Sequence, residues 1–212
     1  MTISKIAALF DLDGVIFDTE PQYSLFWKEM GHEYGFQRQD LGSIIKGQTL
    51  NAILENWFSG DMEKCRPGLI GKLNAFESRI KFEYIPGFES WVKDLRLRGI
   101  KSAVVTSSNR LKMSHVYASH PEFKGYFDAI LTEEDFTKSK PAPECYLLAA
   151  ERLGVAPEEC VVFEDSRNGL AAAQAAGMFT VGLTTTLPPE IVATLSDRQF
   201  PDFTAMRWDD FR

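Results

Sequence analysis

The chain has 212 residues, 44% hydrophobic and 25% charged, which fits one globular unit with a modest insertion and excludes disordered, collagen-like and membrane-spanning classes. A formal net charge of -7 without any basic run speaks against nucleic acid as a partner, because binding along a phosphate backbone needs clustered Lys and Arg. Cys65, Cys145 and Cys160 are widely spaced and form no Cys-x-x-Cys pair, so they read as reduced thiols and not as a zinc site or disulfide framework.

The start, Met1-Thr2-Ile3-Ser4-Lys5, runs straight into an apolar stretch with no leader-like segment, which points to a cytoplasmic protein. Ile6 to Phe10 then reads as a buried strand ending at Asp11-Leu12-Asp13-Gly14. Between 20 and 82 the pattern is helical. Tyr23, Phe26, Trp27 and Met30 recur at helical spacing. Ile44, Ile45, Leu50, Ile53, Leu54 and Trp57 follow more loosely, and a third helix covers Leu69 to Ile80. From Ile85-Pro86-Gly87 helices and strands alternate. Helices are predicted over 88–98, 110–119, 143–153 and 167–176, and strands over 102–105, 129–131, 161–163 and 180–183. Such alternation predicts an α/β fold, a Rossmann-like parallel sheet with helices on both faces. The helical stretch becomes an inserted cap, residues 17–83, on a core made of 1–16 and 84–212. Hinges fall near Ile16 to Asp18 and Tyr84 to Gly87. In the weakly patterned tail, Phe203 to Trp208 reads as a last short strand or a surface segment.

Four clusters sit at predicted strand ends, where an open α/β sheet binds its ligands. Asp11 and Asp13 come first. Two residues apart on an extended chain, they point the same way, and an aspartate so placed can attack phosphorus. An Asx turn would use the same residues, whereas an EF-hand would need further oxygen ligands that Phe17 and Glu20 do not supply. Thr106-Ser107-Ser108-Asn109 opens a helix after a strand, which suits anion binding or plain helix capping. Lys140 stands in Ser139-Lys140-Pro141-Ala142-Pro143, where two prolines restrict it, although a lone loop lysine is ordinarily solvated. Glu164-Asp165 ends another strand. Paired buried carboxylates there call for a cation, unless Asp165 or Ser166 merely caps the next helix. Together the four meet the needs of phosphoryl transfer, where a protein chiefly positions groups and neutralises charge.

The set Asp11-x-Asp13-Gly14, Thr106, Lys140-Pro141 and Glu164-Asp165 resembles the four motifs of the haloacid dehalogenase-like superfamily, in the helical-cap branch near β-phosphoglucomutase and phosphoglycolate phosphatase-like proteins. The resemblance implies Asp11 as the nucleophile that takes the phosphoryl group and Asp13 as general acid and base. It implies Thr106, with Ser107, and Lys140 as phosphate-binding groups. Mg²⁺ would be held by Asp11, Asp13 through its carbonyl, Glu164 and Asp165. In the cap, rough alignment with such relatives makes Lys46, Gln48 and Lys72 substrate contacts.

In β-phosphoglucomutase a first-helix His and an Arg after the cap loop handle a sugar bisphosphate. Here Tyr23 stands at the His position, and Ile45-Lys46-Gly47-Gln48-Thr49-Leu50 holds no arginine for a second phosphate. Tyr titrates near pH 10, too high for a proton relay at neutrality. Hydrolysis is therefore expected: a Mg²⁺-dependent phosphohydrolase releasing phosphate from a small phosphomonoester, a sugar phosphate first. The alternative is a β-phosphoglucomutase-like phosphomutase. A receiver-type phosphoacceptor fails on motif order, because here carboxylates recur late in the chain. The expected partner is a small phosphorylated metabolite, with no nucleic acid, membrane or obligate protein partner. His32, His115 and His120 fall on helices away from the strand ends.

Overall fold

The computed structural model describes residues 4–36 and 41–211; Met1–Ile3, which bear on the leader reading, lie outside the described residues. Six parallel strands build one sheet: β1 (Ala7–Phe10), β2 (Lys101–Val105), β3 (Ala129–Leu131), β4 (Cys160–Glu164), β5 (Phe179–Leu183) and β6 (Arg198–Phe200). Their order across the sheet is β3-β2-β1-β4-β5-β6. The chain builds outward from β1 to β3, then returns to β1's other side for β4. That reversal opens a crevice beyond the carboxyl ends of β1 and β4.

Strand β1 is covered on both faces, and its alternation divides the core. Ala8 and Phe10 point into one layer, Ala7 and Leu9 into the other. The first layer is aromatic. Phe10 stacks on Phe163 at 5.0 Å between centroids, and Trp91 packs edge-on against Phe163 at 4.9 Å. Helices α5 (Phe88–Leu97) and α6 (Arg110–Ser119) close this side with Phe88, Trp91, Val92, Leu95, Met113 and Val116. The second layer is small: α7 (Glu144–Leu153) and α8 (Arg167–Ala175) bring Ala149, Ala150, Ala172 and Ala173 against Ala7 and Ala103. Short side chains let these helices sit close to the sheet, as the alanine run predicts.

Between β1 and β2 come α1 (Glu20–Glu33), α2 (Leu41–Ile45), α3 (Leu50–Trp57) and α4 (Arg66–Glu77). They bury a cluster of their own, with Phe26, Trp27, Met30, Ile53, Leu54, Phe58, Leu69 and Leu73 at its heart. The chain leaves and re-enters the sheet region side by side, since Phe17 and Tyr84 form an antiparallel bridge and stack their rings at 4.8 Å.

The tail corrects the expectation. Phe203 to Trp208 is no strand. The segment is irregular, with bends up to residue 205 and a 3-10 turn opening at Trp208; Phe203, Met206 and Trp208 are buried in the aromatic layer, while the last strand lies earlier, at Arg198–Phe200, after helix α9 (Pro189–Leu195). Burial in an irregular segment follows no helical or strand period, so periodicity could not register it. Among the described residues, no helix is long and apolar enough to cross a membrane.

Candidate active site

Strand register brings the predicted motifs together. Phe10 pairs with Val104 on one side and Phe163 on the other, so Asp11 emerges beside Val105 and Glu164. The Asp11 amide donates to the Phe163 carbonyl at 3.0 Å, which carries the ladder one residue past β1. Asp11, Glu164 and Asp165 each offer a carboxylate oxygen, and the three oxygens lie within 4.8 Å of one another.

Lys140 is the hub beneath them. Its Nζ, with no exposed side-chain surface, donates to Asp11 Oδ1 at 2.7 Å, Glu164 Oε1 at 2.6 Å and the Val105 carbonyl at 3.1 Å. All three ammonium donors are thereby used. Burial alone would depress this ammonium, but the Asp11 and Glu164 carboxylates outweigh it and hold Lys140 charged, its pKa well above the ordinary lysine value. The lysine is thus a clamp on Asp11 and the sheet, and does not line the cleft where a phosphate would enter.

Glu164 is equally committed. Oε1 also accepts from Tyr146 at 2.8 Å, and Oε2 accepts from the backbone amides of Asp165 and Ser166 and from Ser166 Oγ, at 3.1 to 3.2 Å. A Cβ on Gly169 would come 1.8 Å from Glu164 Oε1, so the first turn of α8 must carry glycine to admit the carboxylate. Ser166 does cap that helix, accepting from the Gly169 amide at 3.0 Å, yet Glu164 is fully buried and not in water.

Asp165 differs. It is 2% exposed, its side chain accepts from the Thr186 hydroxyl, and among the described residues no lysine or arginine pairs with it. Burial, then the Glu20, Glu164 and Asp11 charges, push its pKa well above the carboxylate range. Burial likewise lifts Asp11, helped by Glu164 and Asp13 and opposed by Lys140, to about 7. Three buried carboxylates against one ammonium form an oxygen-rich anionic enclave whose donor chemistry fits a hard divalent cation. Gly14 belongs to the same construction. It sits at φ +74°, and a Cβ there would fall 2.1 Å from Asp165 Oδ2.

Asp13 stands at the other side of the mouth, held by three donors: Thr19 Oγ1, Ser108 Oγ at 3.2 Å and Lys112 Nζ. Thr106, 1% exposed, lines the cleft and accepts from the Ser108 amide at 3.0 Å. Asn109 is the cap of α6, accepting from the Lys112 amide at 2.9 Å, so the capping reading holds for Asn109. Ser107 also lines the cleft, but its hydroxyl donates to the Gly47 carbonyl at 2.8 Å and ties the helical insertion to the sheet's edge. Asn168 does the same, donating to the Ile44 and Lys46 carbonyls at 3.2 and 2.7 Å.

The insertion supplies the opposite wall, with Tyr23, Trp27, Lys46, Gln48 and Glu77 facing the cleft. Lys46 and Gln48 therefore lie where the cap alignment predicts. Lys72 does not. It is exposed on α4, pairs with Glu33 and covers the Tyr34 ring at 5.7 Å, one helix face away from Leu73 and Glu77. A one-residue displacement on a helix turns a side chain by about 100°, which rough alignment across a cap cannot resolve.

Lys112 and Glu77, like Glu133, line the cleft and escape the sequence reading. Lys112, 2% exposed, pairs with Asp13 and lies 4.5 Å over the Tyr23 ring. Glu77, 6% exposed, accepts from the Tyr23 hydroxyl at 2.7 Å. A signal existed for both. Lys112 is in the first turn of α6 and Glu77 closes α4, each a charge at the end of its helix that the dipole disfavours.

Residues 8–183 match the family model described as haloacid dehalogenase-like hydrolase. The fructose-1-phosphate phosphatase YqaB of Escherichia coli (strain K12) is 32% identical over 182 residues, spanning 82% of this chain and 93% of that protein. The β-phosphoglucomutase of Bacillus subtilis (strain 168) is 30% identical over 224 residues, 97% of this chain and 96% of that one. A crystal structure of β-phosphoglucomutase from Clostridium difficile superposes with a TM-score of 0.76 at 25% identity, covering 97% of this chain and 95% of the other. With the sheet order and the buried Asp11, Lys140, Glu164 and Asp165 constellation, these likenesses establish that the chain belongs to the haloacid dehalogenase-like hydrolase family.

Proposed function

We propose that this chain is a phosphohydrolase that releases orthophosphate from a small phosphomonoester, a sugar phosphate, through an aspartyl-phosphate on Asp11. The observation that carries the reading is the Lys140 clamp. It fixes one oxygen of Asp11 at the mouth of a cleft, among carboxylates that match a cation, opposite a helical wall able to receive the rest of the substrate.

In the first half-reaction an Asp11 carboxylate oxygen attacks phosphorus and the ester P–O bond breaks. Asp13 gives its proton to the departing oxygen. In the second, water attacks the same phosphorus, Asp13 takes the water's proton, and the Asp11–phosphorus bond breaks to release phosphate. Splitting one displacement in two is what a covalent nucleophile contributes. Thr106, Ser107 and the amides opening α6 are suited to hold the phosphoryl oxygens, while Lys140 acts from below by orienting Asp11. Asp11 and Asp165, with the Asp13 carbonyl, would hold Mg²⁺, and Glu164 would brace Lys140 and the β4–α8 turn. When bound, Mg²⁺ offsets the repulsion between carboxylate and phosphate dianion.

Residues 17–83 act in this reading as a cap and 1–16 with 84–212 as the core, supported by the separate apolar cluster of the four inserted helices. Among the described residues lining the cleft there is no arginine, which leaves the phosphomutase alternative without a bidentate partner for a second phosphate. Phosphate release from a panel of phosphorylated metabolites, with Mg²⁺ and again with EDTA, tests the proposal. Release that needs Mg²⁺ supports it. Isomer interconversion without net release, or turnover indifferent to EDTA, contradicts it.

A further inference from the structure

The cap wall of the cleft has acceptors without donors. Glu77 Oε1 takes the Tyr23 hydroxyl, but Oε2 is buried and accepts no hydrogen bond among the described residues. Gln48 is oriented by its own Nε2, which donates to the Ile44 carbonyl at 3.1 Å, and this leaves Gln48 Oε1 buried and likewise unmatched. Leaving a buried acceptor unpaired is unfavourable, because the atom has lost water without gaining a partner. Both acceptors belong to residues that line one cleft, where a hydroxyl could donate to them.

The charges on this wall are already spoken for. Lys46 lies 2.6 Å from Glu20, and Lys112 pairs with Asp13. Glu77 and Glu133 are further carboxyl groups outside those pairs, both pushed upward in pKa by burial, with the Lys112 charge opposing this at Glu77; Glu133 accepts from the Asn51 amide at 3.2 Å. Among the described residues lining the cleft, an entering anion would meet no unpaired lysine or arginine and would face further carboxyl groups in a partly dehydrated space. A hydroxyl would meet acceptors.

Resting on the phosphohydrolase reading, we infer that Glu77 and Gln48 form a specificity subsite that accepts hydrogen bonds from the hydroxyls of an uncharged, polyhydroxylated leaving group and rejects a second anionic group. Tyr23 keeps Glu77 aimed, and Lys112 keeps Tyr23 in place through its ring face. The subsite discriminates by unpaired acceptors, a device that penalises a substrate lacking the hydroxyl more than it penalises a change of size.

The test compares kcat/KM for sorbitol phosphate, p-nitrophenyl phosphate, fructose bisphosphate and phosphoglycolate in wild type, Glu77→Leu and Glu77→Gln, with thermal melts to establish folding. In wild type, fructose bisphosphate and phosphoglycolate should be turned over about tenfold or more below sorbitol phosphate. Glu77→Leu should lower the ratio of sorbitol phosphate to p-nitrophenyl phosphate by about tenfold or more. Glu77→Gln, which keeps an acceptor but removes the charge, should retain more of that ratio and narrow the gap to the two anionic substrates. A ratio that Glu77→Leu leaves unchanged, or wild-type turnover of fructose bisphosphate equal to that of sorbitol phosphate, overturns the subsite while leaving the phosphohydrolase standing. Absence of release from all four substrates, p-nitrophenyl phosphate included, overturns the phosphohydrolase reading and the subsite with it.

Discussion

The two walls of the cleft are built on opposite principles. Directly beneath the sheet-side wall every donor of Lys140 and both oxygens of Glu164 are matched, and glycines at 14 and 169 make room for the carboxylates beside them. On the helical side Glu77 Oε2 and Gln48 Oε1 have no partner among the described residues. A saturated buried network holds one geometry, because any movement breaks several charge-assisted hydrogen bonds in a low dielectric. An unsaturated wall takes its last partners from whatever enters. Fixed chemistry thus belongs to the strand ends and choice of substrate to the insertion.

The largest effect should come from the saturated side. Asp11→Asn keeps the shape but removes the nucleophilic charge, and phosphate release should fall by roughly three orders of magnitude or more in steady-state assays. Lys140→Met should break the wall itself. It strands Asp11 and Glu164 without their cation, so chemical denaturation should register a loss of about 3–5 kcal/mol, alongside lost activity. An intact Tm with Lys140→Met would mean that the clamp is not what holds the strand ends together.

The third prediction concerns pH. Because burial lifts Asp11 to about 7, the cation-free native state binds more protons than the unfolded chain between about pH 4 and about 7, and its stability should fall as pH rises through that window. A divalent cation must displace those protons. Mg²⁺ affinity should therefore weaken as pH drops below about 7, and the Tm gain from Mg²⁺ should grow from about pH 5 to about pH 8. Melts with EDTA and with Mg²⁺ across that range measure both slopes, and a Mg²⁺ gain that is flat or falls with pH would contradict the reading of the enclave.

How far the sequence reveals this contrast depends on what each wall is made of. The sheet side is legible because Asp11, Thr106 and Glu164-Asp165 each stand where a buried apolar run stops, Lys140 is marked instead by the prolines that follow it, and parallel topology forces strand ends to one edge. Helix 110–119 and strand 129–131 fall where periodicity puts them. The helical side is not legible in the same way, since its side chains meet across tertiary contacts between α1, α4 and α6 that no local period encodes. Lys112 and Tyr23 are 89 residues apart in the chain yet lie 4.5 Å from ammonium to ring. Lys72 shows the complementary failure, a plausible cation on the wrong face of α4. The smallest predicted effect follows from it: Lys72→Ala should leave both Tm and kcat/KM at wild-type values, and a loss of activity would move the substrate wall to the outer face of α4.

The account stands or falls on Asp11 carrying the phosphoryl group. Rapid acid quench during turnover, followed by peptide mass spectrometry, should find a phosphoryl adduct on the peptide that holds Asp11. An adduct on another residue, or none while the leaving alcohol is released in a burst ahead of phosphate, would contradict it.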